Sequence, residues 1–551
     1  MYKTPGVYVE EISTFPPSVA EVSTAIPAFI GCTGKGPQVA RITTLLEYLD
    51  LFGGAKPTGF KVHTSEDANS GLPVVDRVEA TDATNGQPAF LMYYCMSHYF
   101  KNGGGPCYVI PTGDYSEAPQ KVGFIKALEL LEKEDEPTLI VLTDAVKLEA
   151  ADYHEVCQTA LAQCRKLRDR FAIFDVRAGD AQAFRDGIGT NALMYGAAYY
   201  PYLLTTLNFR YREEDVQIQS AAAAEDSANW EKDFGANTIV VRYTGTPGAT
   251  PKVKIIAGDS AVALDFAVTA DLLTVSNVSG RAGSDVAAAW ATWAESNDAA
   301  GFAIAVSGDG SGHVQHTSNT NVDLDLQPGS GQSDKLDSLK EGQTALYNLV
   351  KAELGKQRVA LPPSAAMAGI YARVDRQRGV WKAPANVSVS AVIGPVSKTT
   401  HEAQAALNVD PTAGKSINAI RAFTGKGTLV WGSRTLAGND NEWRYVPVRR
   451  LFILIEESIQ KSTGFAVFEP NDATTWLKVK GMIESYLYGL WERGALAGPT
   501  PESAYFVNVG LGKTMTAQDI LEGRMIVEVG VAAVRPAEFI ILRFTHKMQE
   551  A

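Results

Sequence analysis

Each end of this 551-residue chain carries a segment with the pattern of a β-strand and no nearby segment that could pair with it. Residues 7–11 (VYVEE) precede Pro16 and Pro17, which block both helix and ladder continuation. Residues 538–544 (EFIILRF) are mostly strand formers and follow Arg535 and Pro536. Because single-chain proteins usually cover free strand edges, we expect these ends either to close the chain's own sheet or to be donated to neighbouring copies.

Charge and hydropathy argue against several classes of function. The net charge of −12 at pH 7 does not fit a nucleic-acid groove, which needs a basic face. No apolar run approaches the roughly 18 to 20 residues that span a bilayer, so we expect no membrane insertion. The first residues lead directly into a predicted strand without an apolar signal segment, and we expect synthesis in the cytoplasm without export by the general secretory route.

The five cysteines do not suggest disulfides or a metal site. Cys157 and Cys164 lie on one face of a predicted helix, where seven residues separate them by roughly 10 Å, too far for a disulfide. The other three have no CxxC spacing. We therefore predict small buried side chains in a reducing compartment.

Composition divides the chain into several domains. Residues 138–175 predict a βαβ unit with parallel strands. From residue 213 the sequence becomes rich in Ala, Gly, Ser, Thr and Asp, and residues 220–330 hold 13 acidic and 5 basic residues, a net charge of −8. The predicted fold class is multidomain α/β and α+β: an N-terminal arm (1–22), a central α/β domain (23–212 and 341–429), an inserted β-rich domain (213–340), a C-terminal α+β domain (430–535) and a C-terminal arm strand (536–551).

The predicted C-terminal domain contains two amphipathic helices. The first has an apolar face that includes Leu451 and Ile455, and it ends near Gly464. The second can be capped by Asp472 or Thr474 and repeats apolar residues at intervals of three and four. This pattern is typical of helices packed on a core.

Motifs for catalysis and ligand binding are incomplete. Residues 510–514 (GLGKT) resemble the end of a phosphate-binding loop, but Val507 stands where its first glycine is required. Asp144 and Asp175 end adjacent predicted strands, where α/β enzymes place catalytic groups, yet no serine or histidine motif accompanies them. The histidines of the insert lack further metal ligands. We therefore predict no enzymatic activity, no cofactor and no metal site.

Several long stretches resemble the sheath proteins of contractile injection systems, a family that includes phage tails and phage-tail-like toxin-delivery particles. They are YKTPGVYVEEISTFPPSVAEVSTAIPAFIG (2–31), LPPSAAMAGIYARVDRQRGVWKAPAN (361–386), SINAIRAFTGKGTLVWGSRTLAGNDNEWRYVPVRRLFILIEESI (416–459), FAVFEPND and GRMIVEVGVAAVRPAEFIILRF. The sequence departs from the family at 213–340. Its start and the segment GLGKTMTAQDILEGR look closer to extracellular contractile particles than to phages with long virion tails.

The resemblance implies a structural subunit that polymerises as stacked six-fold rings around an inner tube and contracts to drive the tube through a target envelope. A non-contractile structural tail component is the alternative. The implied central domain is subtilisin-like in fold. The implied partners are further copies of the chain, the inner tube protein, and baseplate and cap proteins, with sheath paralogues as a further candidate. The particle is expected to assemble in the bacterial cytoplasm and to be released, or alternatively to be a phage virion tail.

In sheaths of this kind, terminal arms of neighbouring subunits add to a small sheet on a third subunit, while a helix of the C-terminal domain faces the tube. The corresponding arm residues here are Val7, Tyr8, Val9, Glu10 and Glu11 at the start and Phe539, Ile540, Ile541, Leu542 and Phe544 at the end. The predicted accepting strand contains Met525, Ile526, Val527 and Val529. The candidate tube contacts are Lys478, Lys480, Glu484 and Glu492.

Overall fold

The computed structural model describes residues 18–67, 70, 72–220, 228–246, 249–326 and 334–543. These residues form two units. The larger unit comprises the described parts of residues 1–56, 84–209 and 358–551, and the smaller unit comprises those of residues 57–83 and 210–357. The predicted arm residues 7–11 and Phe544 lie outside the described residues.

The strands and helices are numbered in chain order. The strands are β1 Pro27–Gly31, β2 Ala40–Ile42, β3 Phe60–Glu66, β4 Pro73–Ala80, β5 Cys107–Pro111, β6 Leu139–Leu142, β7 Phe171–Asp175, β8 Gly196–Tyr200, β9 Leu203–Asn208, β10 Val216–Ser220, β11 Ala228–Asp233, β12 Ile239–Gly245, β13 Lys252–Ile256, β14 Asp265–Thr269, β15 Leu272–Ser276, β16 Phe302–Val306, β17 Val322–Asp323, β18 Asp325–Leu326, β19 Asp334–Lys335, β20 Arg358–Leu361, β21 Val387–Ser388, β22 Val392–Pro395, β23 Ile417–Phe423, β24 Gly427–Val430, β25 Tyr505–Val509 and β26 Val527–Val531. The α-helices are α1 Leu45–Phe52, α2 Met92–Lys101, α3 Lys121–Leu131, α4 Ala150–Leu167, α5 Ala181–Gly187, α6 Gly283–Ala294, α7 Leu339–Gly342, α8 Thr344–Leu354, α9 Ser364–Arg378, α10 His401–Asn408, α11 Val446–Ser462, α12 Ala473–Glu492, α13 Pro501–Ala504 and α14 Ala517–Leu521.

A nine-stranded sheet forms the centre of the larger unit, in the order β2-β5-β1-β6-β7-β8-β23-β24-β21. Its six central strands, from β5 to β23, run parallel. Strands β1, β6 and β7 are buried along their whole length, as expected for parallel strands covered on both faces. Helix α4 connects β6 to the parallel β7, which confirms the predicted βαβ unit. The five cysteines, all within the described residues, are buried and free.

The C-terminal part of the larger unit has its own apolar core. Helices α11 and α12 contribute buried side chains such as Leu451, Leu454, Ile483 and Leu487, and the two-stranded sheet of β25 and β26 packs against them. The Oδ1 atom of Asp472 accepts hydrogen bonds from two backbone N–H groups in the first turn of α12. Asp472 is therefore the residue that caps this helix.

The smaller unit consists of short sheets with a separate core. Two four-stranded sheets, β16-β12-β11-β18 and β14-β15-β13-β17, enclose a core that includes Trp230, Val253 and Leu324. Helix α6 adds Val286 and Trp290 to it. All of these elements fall between residues 228 and 326, so this part of the unit buries a core by itself.

The smaller unit extends beyond the predicted boundaries of the insert. The sequence placed residues 57–83 in the central domain, but β3 and β4 from this segment join β10 and β19 in the sheet β19-β10-β3-β4. Strand β3 pairs in parallel with β10, with Phe60 opposite Val216. Local periodicity cannot reveal such a pairing, because it links segments more than 150 residues apart.

Candidate subunit-docking groove

Strand β26 has one open edge. It pairs antiparallel with β25, with Val507 opposite Val529 and Val509 opposite Val527. Within the described part of the chain, these two strands form a sheet of their own. The second edge of β26 therefore offers unpaired backbone donors and acceptors to a further strand.

Two cavities are lined by side chains from one face of β26, and they share Ile459 and Val529 in their linings. The first has a volume of about 690 Å³ and reaches from α11 and α12 to Met525 and Val527. The second, of about 340 Å³, lies between α11 and Val531. We call these two cavities together the docking groove. Because most of its lining is apolar, the groove suits apolar side chains of an added strand.

The accepting strand differs from its prediction at both ends. Val527 and Val529 lie in β26, but Met525 and Ile526 precede it, and the strand continues to Val531. Local hydrogen bonds explain the late start. The Ile526 carbonyl accepts a hydrogen bond from Thr514 Oγ1. Met525 nevertheless lines the groove.

The C-terminal segment presents apolar side chains to solvent. Phe539, Ile540, Ile541 and Leu542 are 69%, 80%, 78% and 72% exposed. Residues 538–543 belong to no helix or strand of this chain. Four consecutive large apolar side chains at this exposure are unusual on an isolated soluble surface and are typical of a segment that packs elsewhere.

The chain between β26 and this segment is fixed to the body. The Ala532 N–H donates to the Ala504 carbonyl, and the Ala532 carbonyl accepts from the Ala497 N–H. The Val534 N–H donates to the Ala495 carbonyl. The segment therefore continues along the C-terminal core beyond the end of β26.

Glu538 then binds the central part of the larger unit. Its carboxylate accepts from Arg434 Nε and Nη2 at 3.0 and 2.6 Å, from Asn408 Nδ2 at 2.8 Å and from the Tyr445 hydroxyl at 3.1 Å. Burial raises the pKa of Glu538, but the hydrogen bonds from Arg434 and Asn408 outweigh it and hold the pKa below its ordinary value. No sequence pattern pointed to this contact.

The candidate tube-contact residues all lie on α12. Lys478 and Glu492 are exposed, whereas Lys480 and Glu484 are partly exposed and pair at 3.6 Å. Leu477 is 70% exposed on the same helix. This helix surface therefore carries both signs of charge beside an apolar side chain.

Asp144 and Asp175 are buried at the ends of neighbouring strands, where they hold backbone rather than face a cleft. Asp144 accepts from the N–H groups of Cys32 and Leu91, the latter just before α2. Asp175 accepts from the N–H and hydroxyl of Ser364, the first residue of α9. Burial raises the pKa of Asp144 to about 6 and that of Asp175 to about 7. Both carboxyls thus anchor helix N-termini.

This structural role predicts opposite outcomes for two substitutions of Asp175. Asp175→Ala should lower the free energy of unfolding by about 1–3 kcal/mol, because it leaves the Ser364 donors unpaired. Asp175→Asn keeps an acceptor without a charge and should be tolerated. Since the folded-state pKa of about 7 lies above the ordinary value near 4, the parent loses stability as pH rises between these values. The Asn variant should lack this loss in urea unfolding at pH 5 and pH 8, and equal damage from Asn and Ala would contradict the anchoring role.

The described residues include no helix that combines the length and the apolar character of a membrane span. Nor do they contain a group of three or more His, Cys, Asp or Glu side chains placed to hold a metal ion.

Comparison with known families connects the C-terminal region to one domain type. Residues 438–547 match the phage tail sheath C-terminal domain. The tail sheath protein of Vibrio phage KVP40 is 23% identical over 192 residues, which are 35% of this chain and 27% of that relative. The matched segment therefore spans about a quarter of the relative's length.

Solved structures resemble the whole chain. The anti-feeding prophage helical sheath in its contracted state is 27% identical, with a TM-score of 0.55, over 99% of this chain and 100% of that chain. The PVC sheath complex of an extracellular contractile injection system, also contracted, is 26% identical with a TM-score of 0.55 over 99% and 98% of the two chains. The mixed α/β fold described above is thus shared with contractile sheath subunits.

Proposed function

We propose that this member of the phage tail sheath family is the structural subunit of a contractile sheath, which polymerises around an inner tube and drives it through a target envelope. One observation carries the proposal: the chain has both an open strand edge beside an apolar groove and an exposed apolar segment of its own. The resemblance to contracted sheaths favours contraction over a static tail component. Negative-stain electron microscopy of the expressed chain should find hollow polymers or short contracted tubes, and purely monomeric protein at high concentration would contradict the proposal.

The C-terminal arm of one copy docks in the groove of another. Residues 539–544 add a third strand to β25 and β26, so that alternate side chains enter the groove. Each large apolar side chain that is fully buried contributes about 1.5–3 kcal/mol before ordering costs. Two such side chains and the new ladder are enough to hold neighbouring subunits together while leaving each subunit folded.

The N-terminal arm leaves the body of the subunit beside α11, a helix that also lines the docking groove. The N–H groups of Ala20 and Val22 donate to the hydroxyls of Ser462 and Ser458 on α11, and Glu21 pairs with Arg493 at 2.9 Å. Residues 7–11 lie outside the described residues, and we propose that they form the second exchanged strand. Both arms would then start from the domain that accepts strands.

Contraction requires no enzymatic step in this proposal. The sheath assembles in an extended lattice and relaxes to one that buries more surface, so the difference in burial supplies the work. Its partners are further copies, the inner tube, and baseplate and cap proteins, within a phage-tail-like particle released from the bacterial cytoplasm. The central sheet serves as a scaffold, for which we propose a subtilisin-like arrangement without catalysis.

Helix α12 is the proposed contact with the inner tube. Lys478→Glu combined with Lys480→Glu reverses two charges on its exposed surface, and it should yield sheaths that polymerise without enclosing tube, because complementary charge steers and aligns such contacts. Electron microscopy of particles co-expressed with tube protein measures the enclosed fraction. As a control, Lys382→Glu reverses an exposed charge elsewhere in the chain. Normal enclosure by the α12 double variant would contradict the assignment.

The acidic segment of the smaller unit is proposed to project from the outer surface of the sheath. Inside a narrow annulus, the net charge of −8 between residues 220 and 330 would be crowded against the same charge on neighbouring copies. On the outer surface the copies are further apart, and salt screens their repulsion beyond about 8–10 Å. Because Ile218 lies opposite Asp334, the C-terminal end of β10 lies beside the first residue of β19. Replacing residues 221–333 with a short Gly/Ser linker should therefore preserve polymerisation and reduce the outer diameter in electron micrographs. Loss of polymerisation with folded subunits would place the segment in the lattice.

A further inference from the structure

The path of residues 525–538 determines where the C-terminal arm can go. Met525 lines one cavity together with Ile459 in the C-terminal half of α11, and Val531 lines the other together with Phe452 nearer the start of that helix. Glu538 accepts a hydrogen bond from Tyr445, just before the first residue of α11. The chain therefore runs towards the N-terminal end of α11 and leaves its own groove behind. The apolar residues 539–542 follow immediately after the point where Glu538 is held.

With Glu538 held, the arm cannot place these apolar residues in its own groove. Ala532 and Val534 are fixed by backbone hydrogen bonds, so the first turn that could reverse the chain lies beyond Glu538. A tight antiparallel hairpin there would bring residue 548 opposite Val531 and leave residues 539–542 in or next to the turn. A parallel return requires a crossover of about a dozen residues, and none are available before residue 539.

Release of Glu538 removes this restriction. The turn can then use residues 535–538, and an antiparallel return brings Leu542 opposite Val531, within the groove lining. An arm that folds back in this way would fill the site that a neighbour's arm needs, as in the exchange of an identical element between protomers.

We propose that the contact of Glu538 with Arg434 is a positioning device, which keeps the arm out of its own groove and so directs it to a second copy of the chain. The inference rests on the proposed exchange of arms. The contact suits this role, because Arg434 is buried and its Nε and Nη2 groups donate three hydrogen bonds to the two carboxylate oxygens of Glu538. Such a two-pronged contact between a guanidinium and a carboxylate is strong and directional. It therefore acts as a fixed exit point and not as a passing surface ion pair.

Disulfide trapping in dilute, monomeric protein tests the inference. A Val531→Cys and Leu542→Cys pair is introduced, and the native cysteines do not interfere because all five are buried. In the parent background the pair should stay reduced, since a disulfide needs Cα atoms within about 7 Å. With Glu538→Ala added, an internal disulfide should form about tenfold faster, because the released arm can bring the two cysteines of one chain together at a high effective concentration. A second double variant, Val529→Cys with Leu542→Cys, detects an arm that folds back with a shifted alignment along β26.

Further variants distinguish the loss of the contact between Glu538 and Arg434 from a general loss of structure. Arg434→Met removes the same contact from the other side and should give the same trapping, whereas Glu502→Ala, which changes an exposed carboxylate on α13, should not. Glu538→Gln keeps the size and one acceptor, and it should fold normally with an intermediate rate. Equal rates with and without Glu538, or trapping in the parent, would overturn the inference. Polymerisation of the parent is scored separately in concentrated samples, and its failure would contradict the exchange of arms itself.

Discussion

Removal of residues 539–551 is expected to give folded subunits that do not polymerise. The truncation leaves Glu538 and the whole C-terminal core in place, but it removes the exposed apolar side chains and every ladder bond that the arm would make. The lost burial of two side chains alone corresponds to about 3–6 kcal/mol per contact, and a lattice multiplies that loss over each subunit. Sedimentation velocity measures the result, with an unchanged thermal unfolding curve as proof of folding.

Two substitutions of Ile541 complement the truncation, and one of them is the matched control. Ile541→Pro retains the length and apolar character of the segment but removes a backbone donor and cannot sit inside a ladder, so it should weaken polymerisation almost as much. Ile541→Val preserves the strand and should polymerise nearly as the parent does. Normal polymers from the truncated chain would contradict the role of the arm.

A charge in the docking groove should block assembly by preventing the accepting subunit from burying a neighbour's arm. Val529→Lys introduces an ammonium group that solvent can reach in a free subunit but that an incoming strand would bury at a cost of several kcal/mol. Glu528→Lys makes the matched change at the neighbouring exposed position of β26 and should have a much smaller effect. We expect the Val529 variant to remain monomeric at concentrations at which the parent forms polymers.

Mixing the two defective chains makes this expectation more specific. The truncated chain keeps its groove, and the Val529→Lys chain keeps its arm, so one of each should form a complex that stops growing through this contact. Analytical ultracentrifugation should detect such limited complexes only in the mixture. If the mixture contains only monomers, the arm and the groove are not partners in the same contact.

The sequence predicted most elements whose signal is local. The resemblance to sheath proteins placed Val527 and Val529 in a strand, and helical periodicity identified α11 and α12. The strand began later than predicted because side chains and turns before it take up backbone groups, as Thr514 does for the Ile526 carbonyl. The relation to tail sheath proteins was predicted from the long terminal and middle stretches and is confirmed.

Sequence patterns did not predict the features that depend on contacts between residues far apart in the chain. Arg434 and Glu538 are 104 residues apart, and neither belongs to a periodic or motif-like arrangement. The hairpin of β3 and β4 looked like part of the central domain because its partner strand β10 lies far along the chain. Asp144 and Asp175 were correctly expected at neighbouring strand ends, but only their backbone partners distinguish an anchor from a catalytic group.

Exchange of the C-terminal arm can be seen directly in a cryo-electron microscopy map of the assembled polymer in which side chains can be traced. We expect a third strand beside Val527–Val531, with density that leads back to Glu538 of a neighbouring subunit and with apolar side chains in the docking groove. An empty β26 edge in the polymer, or a strand at that edge that leads back to Glu538 of the same subunit, would rule out arm exchange.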